Sequence, residues 1–255
     1  MKIVYGPVAS WRLGKSLGVD LICSAEKICS FDCIYCQLEK TKKITSKREA
    51  FVSIRKVEEE VENALERTTP DVITFSGMGE PTLAVNIDDA IKTIKELTNI
   101  PIAILTNSTL LNDKKLQEPL KKIDIIVAKL DAPNEELFQK INRPTKGITF
   151  EETLKGIKDM RQQFNGKFAL QIMFMNENKN YVHKLAELAQ EIKPDEVQIN
   201  TPLRPCAVKP LTKGELDEIE KAFTGLNTIS VYHSPKPMTD PLDKLELIKR
   251  RRMEP

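Results

Sequence analysis

The chain of 255 residues is short of several things, and each shortage removes a class of protein. No apolar run approaches the roughly 20 residues that span a bilayer. The N-terminus, "MKIVYGPVAS", lacks the long apolar core of a secretory signal and is expected to belong to the mature protein. There is no internal repeat, low-complexity segment or clear linker, so one domain over 1–255 is expected. Charge of one sign is not in excess: the formal net charge is +2, whereas dedicated nucleic-acid binders are usually more basic. Histidine is limited to His183, in a helical pattern, and His233, in a tail strand, neither with an evident partner. Cysteines number five, which is odd, and no secretory signal accompanies them. That argues against a disulfide framework. The expected setting is the cytoplasm.

What is present begins with alternation. "LGVDLIC" (17–23), "DVITFSG" (71–77), "IPIAILTNS" (100–108), "DIIVAKLDA" (124–132), "FALQIMFM" (168–175) and "DEVQINTP" (195–202) have the β-branched density of buried strands. Between them lie charged stretches of helical period, such as "RKVEEEVENALERTT", with Val57, Val61, Ala64 and Leu65 on one face. Six strands alternating with helices imply right-handed βαβ units and a parallel sheet. The length of these units, about 17–225, suits a partial (β/α)6 barrel or an open doubly wound sheet; a full eight-unit barrel usually needs about 250 residues. Residues 1–16 are expected as an N-terminal arm. Residues 226–255 are expected as an extension with a strand, "TISVYH" (228–233), and a last helix, "LDKLELIKRRR".

Functional groups in such folds collect at the C-terminal ends of the strands. "CSFDCIYC" (29–36) follows the first strand and carries Cys29, Cys33 and Cys36. Thiolates spaced C-x3-C-x2-C can converge on one centre. Zinc is one candidate, with Cys23 or Cys206 completing four ligands; an iron–sulfur cluster is the other. Burial as a small hydrophobe is the simpler reading for Cys23, and an ordinary thiol for Cys206. "GMGEPT", "TNST", "KLDAPN", "FMNEN" and "NTPLRPC" end the later strands and place Glu80, Asn107, Asp131 and Asn200 on the same rim. Lys129 lies in a strand of β-branched residues, so it must find a partner or point into the barrel mouth, near the reacting molecules. Arg12, Arg143 and Arg204 are candidates to hold phosphate or carboxylate bidentately, or to form structural ion pairs. "EKTKKITSKRE" and "KRRR" are local basic clusters, each either a phosphate contact or a solvated surface.

The octet, with its aromatic at Tyr35, resembles the signature loop of the radical S-adenosylmethionine (SAM) superfamily. "GMGEP" (77–81) resembles that superfamily's glycine–glutamate motif, with Met78 where a second glycine is common. Together with "YGPVASWRLGKSLGVDL", "LTNSTLL", "KLDA", "INRP" and "VQINTPLRP", it is similar to the group related to the wyosine-forming tRNA enzymes. The resemblance implies a partial TIM-like barrel and a [4Fe–4S] cluster on Cys29, Cys33 and Cys36, whose fourth iron is open to SAM. It implies reductive cleavage of SAM to a 5′-deoxyadenosyl radical that takes hydrogen from a substrate. It also implies an electron donor such as ferredoxin or flavodoxin. Gly77, Gly79 and Glu80 would receive the SAM ammonium, Asn107 and Asp131 its hydroxyls or polar edges, Tyr35 and Asn200 its adenine. The additional N-terminal cysteines of the wyosine-forming enzymes are missing, so synthesis from pyruvate is not expected. A tRNA approached through Lys40–Arg48 remains one substrate class; a small molecule, peptide or protein is another, and a non-catalytic electron carrier is the third reading.

Overall fold

A computed structural model describes residues 1–251; Arg252 of the basic "KRRR" cluster, the side chain of Lys249 and the end of the expected extension lie outside the described residues. The strands are β1 (Val4–Ser10), β2 (Gly14–Val19), β3 (Ile28–Cys29), β4 (Lys43–Ile44), β5 (Val72–Phe75), β6 (Ile102–Thr106), β7 (Ile125–Lys129), β8 (Lys167–Met173), β9 (Glu196–Asn200) and β10 (Thr228–Ser230). The helices are α1 (Ile54–Leu65), α2 (Ile87–Leu97), α3 (Lys114–Leu120), α4 (Glu135–Ile141), α5 (Phe150–Gln163), α6 (Val182–Ile192), α7 (Lys213–Lys221) and α8 (Lys244–Arg251). One sheet runs in the order β1-β2-β5-β6-β7-β8-β9-β10. From β2 onward its neighbours are parallel, and the sheet curls into a half-barrel.

The six expected strands form, together with the tail strand β10. The arm does not stay an arm. Val4–Ser10 becomes β1, antiparallel to β2, and β2 itself starts at Gly14, inside the expected arm. Gly6 and Pro7 interrupt the sequence pattern of β1, and its register shifts between Tyr5 and Val8. Proline lacks the ladder donor, and an edge strand tolerates that. Helix α4 is also additional to the expected set. Its seven residues are too few to show a helical period, and Asn134 caps it by accepting from Leu137 N at 3.0 Å.

The main core lies between the convex sheet face and the helices, with Phe75, Phe168, Ile91 and Leu185 fully buried. A second cluster sits under the cysteine octet. There Phe31 meets Phe138 of α4 edge to face at 5.3 Å, with Ile141, Met173 and Met175 alongside. Among the described residues, no helix is long and apolar enough to cross a membrane.

Candidate active site

The concave side of the half-barrel holds a cavity of about 390 Å³. Cys29, Cys33, Cys36, Tyr35, Gly77, Gly79, Glu80, Asn107, Lys129 and Asn200 all line it, so the sheet gathers nearly every expected site residue. Asp131 is the exception among them. Cys23 and Cys206 also lie off its wall; their sulfurs approach the carbonyls of Met1 (3.6 Å) and Val208 (3.2 Å).

The octet is held from four sides, each by one of the short segments singled out above. Ile28 N donates to Met78 O (3.1 Å), and Glu80 N donates to Ile28 O (3.2 Å). The chains touch so closely that a Cβ on Gly79 would lie 1.6 Å from Ile28 O; only glycine fits. From "TNST", Asn107 Nδ2 donates to Ser30 Oγ (2.8 Å) and to Cys29 Sγ (3.5 Å). From "INRP", Ile141 O accepts from Ile34 N (2.9 Å), and Asn142 Nδ2 reaches Cys33 Sγ at 3.6 Å. From "KLDA", Asp131 accepts the Tyr35 hydroxyl.

These contacts change the expected roles. Asp131 does not face the cavity. Its Oδ2 takes Tyr35 and Asn142 Nδ2 (3.1 Å), and its Oδ1 takes Met173 N (2.8 Å). With Lys129 Nζ 3.4 Å from the same Oδ1, most of this carboxylate's accepting capacity goes to holding the octet, β8 and the end of α4. Glu80 does line the cavity, but its Oε1 accepts from Thr82 N (3.1 Å), Thr82 Oγ1 (2.7 Å) and Thr106 Oγ1 (2.7 Å). Its Oε2 accepts from Asn107 N (2.7 Å) and has capacity left for one more donor. Burial raises the Glu80 carboxyl, opposed by the bonds from Asn107, Thr106 and Thr82. Asn200 turns its Oδ1 to Thr201 N (2.9 Å). Lys129 stands 3.4 Å from Asp131 Oδ1 and 4.9 Å above the Tyr35 ring, a paired and stacked cation at the cavity wall.

Lys27 went unassigned in the sequence. It is 2% exposed and lines the cavity without a carboxylate partner among the described residues. Burial pulls its ammonium down, but the sulfurs of Cys36, Cys29 and Cys33 outweigh that, and its net shift is upward. Its one sequence signal is position, two residues before Cys29. A buried cation is costly without a counter-charge, and the thiols beside Lys27 supply one only once they are deprotonated. That is the fit expected of a seat for an anionic, thiolate-bound group. Burial pushes the free thiols of Cys29 and Cys33 up to about 12 and about 11, so ligation must displace their protons. Among the described residues, no three His, Cys, Asp or Glu side chains stand close enough to share one ion. A multi-iron cluster spreads its thiolates more widely than a tetrahedral zinc with bonds of about 2.3 Å.

The cations expected on the rim divide. Arg143 is exposed and off the cavity, contributing its carbonyl to Asp32 N (3.1 Å). Arg12 and Arg204 line the cavity. Burial, and then Arg251, lowers both to about 10. In the basic segment, Lys43 and Lys47 gather around Glu49, and Arg48 caps the carbonyls of Thr82 and Ala84; Lys40 and Lys42 stay exposed. Arg250 of "KRRR" is not a tail residue: it pairs with Asp20 at 2.6 Å, buried on both sides.

A half-barrel with three thiols at the mouth, pinned by a glycine–glutamate loop, defines a SAM-dependent iron–sulfur enzyme. The chain belongs to the radical SAM superfamily, whose model matches residues 27–189. A UPF0026 protein of Synechocystis sp. is 42% identical over 214 residues, covering 82% of this chain and 78% of that protein. A UPF0026 protein of Methanocaldococcus jannaschii is 34% identical over 236 residues, covering 90% and 72%. Among solved structures, Streptococcus suis SuiB bound to S-adenosylmethionine superposes with a TM-score of 0.65 at 18% identity over 86% of this chain; the chain spans 50% of SuiB.

Proposed function

We propose that residues 1–255 act as one radical SAM domain in which Cys29, Cys33 and Cys36 carry a [4Fe–4S] cluster and the cavity beside them receives SAM and a substrate. The observation that carries this is the buried Lys27 ammonium, which shares the cavity wall with Cys29, Cys33 and Cys36 and has no carboxylate partner among the described residues. When bound, the cluster and SAM supply reductive sulfonium cleavage and a radical able to abstract hydrogen.

The protein's part is placement. Asn107 and Asn142 donate to Cys29 and Cys33 and fix the direction of those sulfurs. Glu80 Oε2 and the backbone of Gly77 and Gly79 offer acceptors to the SAM ammonium. Asn200 and the Tyr35 ring face the space for its adenine. Lys129, held by Asp131 and Tyr35, presents a cation to the reacting region. The exposed Lys40 and Lys42 favour tRNA as the substrate class. A reductant such as ferredoxin or flavodoxin, in the reducing cytoplasm, completes the cycle.

Anaerobic reconstitution tests this. The wild-type chain should take up four irons and cleave SAM to 5′-deoxyadenosine under dithionite. Serine at Cys29, Cys33 or Cys36 should abolish both, whereas Cys23→Ser and Cys206→Ser should retain the cluster. Stoichiometric zinc without iron would refute the reading.

A further inference from the structure

Besides Arg250, three arginines line the cavity, from three separate parts of the chain. Arg12 comes from the hairpin between β1 and β2, Arg204 from the loop after β9, and Arg251 from the end of α8. Among the described residues none of them pairs with a carboxylate. Arg12 stacks on Trp11 at 5.4 Å, and its Nε is buried with no hydrogen-bond partner. Arg204 donates only to neutral acceptors, Gln37 Oε1 (3.0 Å) and Arg251 O (3.2 Å). Arg250 is the contrast. It meets both Asp20 (2.6 Å) and Glu246 (2.8 Å) and is fully occupied.

Among the described residues, the groups facing the three arginines do not neutralise them. Glu196 is spent on Lys167 (2.7 Å) and Gln198 (2.9 Å). The Tyr5 hydroxyl is bonded to Ser76 (2.8 Å). Cys36 and Cys206 contribute thiols. Like charges gathered at a half-closed wall repel one another and are costly unless an anion joins them. A carboxylate offers two oxygens and one charge, which two arginines exhaust. A phosphate ester offers three oxygens and nearly two charges, which suits three planar forks arriving from different directions.

We infer that Arg12, Arg204 and Arg251 hold a phosphate group of the substrate, so that the molecule losing hydrogen lies with its phosphate among the arginines and its reacting carbon towards the cysteine octet. This rests on the radical SAM reading and adds the substrate's chemical class. The phosphate belongs either to a small phosphorylated metabolite or to the end of a nucleic acid.

The test is calorimetric titration of inorganic pyrophosphate into the reconstituted full chain, with SAM present and ionic strength fixed. One saturable site is expected, and pyrophosphate should raise the melting temperature where equivalent chloride does not. Arg12→Gln and Arg204→Gln should each weaken the site by about tenfold or more. Arg55→Gln, on the exposed face of α1, should leave it unchanged. Absence of saturable binding in the wild type overturns the inference, whatever the variants do. So does wild-type affinity retained in both arginine variants, or a parallel loss of SAM affinity, which would give the arginines to the SAM carboxylate. Ribose 5-phosphate and a 5′-phosphorylated RNA oligonucleotide separate the two sources: the one that binds more tightly than pyrophosphate and loses that advantage in the variants is of the right kind. SAM cleavage by the same wild-type preparation is read independently. If SAM is cleaved but pyrophosphate is not bound, the phosphate inference alone fails.

Discussion

The hydroxyl of Tyr35 donates to the carboxylate of Asp131, binding the end of the cysteine octet, beside Cys36, to the residue that follows β7 and its Leu130. Burial, and then the Asp131 charge, hold the Tyr35 phenol well above its usual range, so it stays a donor. The same carboxylate takes Met173 N and Asn142 Nδ2. One side chain thus fixes the octet, β8 and the end of α4 together.

Asp131→Asn puts an amide where three donors converge. A buried donor left unsatisfied costs about 1–3 kcal/mol. Thermal melting should fall accordingly, and iron per chain after reconstitution should drop. The fraction that does hold a cluster should bind SAM normally. A rise in the SAM dissociation constant with full iron loading would restore the contact with SAM that the sequence suggested.

Lys27 contributes a positive charge next to the sulfurs. Lys27→Met removes it while keeping length and burial. A unit charge at such a site is worth on the order of 1–3 kcal/mol, roughly 40–130 mV for one electron. The cluster midpoint potential, followed by EPR-monitored titration, should move negative by that amount. A midpoint that stays put would mean that Lys27 lies too far from the cluster to matter.

Much of the frame was legible because its signals are local. Six β-branched runs separated by amphipathic stretches give a parallel sheet, open or curled, the family resemblance selects the partial barrel, and three cysteines in eight residues point to a metal centre. β1 was hidden because Gly6 and Pro7 break its pattern; its pairing with β2 is a tertiary event. The roles of the rim residues were less legible for a different reason. A residue type states what a side chain can bond, not which partner reaches it first. Glu80 and Asp131 lie in the loops that follow β5 and β7, yet most of their capacity goes to the protein itself. Arg250 shows the same limit over distance, since nothing near "KRRR" names Asp20, 230 residues away.

Gly79→Ala should be far more damaging than a methyl group suggests. The added Cβ would sit 1.6 Å from the Ile28 carbonyl, which is backbone and cannot rotate away. The strands of residues 28 and 79 must part, breaking the bond from Glu80 N to Ile28 O. Destabilisation of at least about 2 kcal/mol is expected. Gly147→Ala is the control for alanine as such: nothing lies within 4 Å of a Cβ there, although its φ of +90° adds some strain. Comparable iron retention in both variants would show that the contact between the two segments is not needed to seat the cluster.

Arg250 links the C-terminal helix to the octet through a continuous chain of bonds. Its guanidinium meets Asp20 Oδ2 at 2.6 Å, and the same oxygen accepts Met78 N at 3.0 Å. Met78 O in turn accepts Ile28 N, one residue before the first ligand. Breaking a buried pair by removing one partner typically costs 3–5 kcal/mol. Here Asp20 also accepts from Ile22 N and Cys23 N, which softens the loss, so Arg250→Met should cost about 2–3 kcal/mol. Hydrogen exchange should quicken in α8 and also around residues 27–30 and 77–80. The Asp20→Asn/Arg250→Met double variant should cost less than the sum of the singles, because both remove the same contact. If exchange quickens in α8 alone, the helix is merely docked on the barrel, and the bonds through Asp20 and Met78 do not carry its effect to the cysteines.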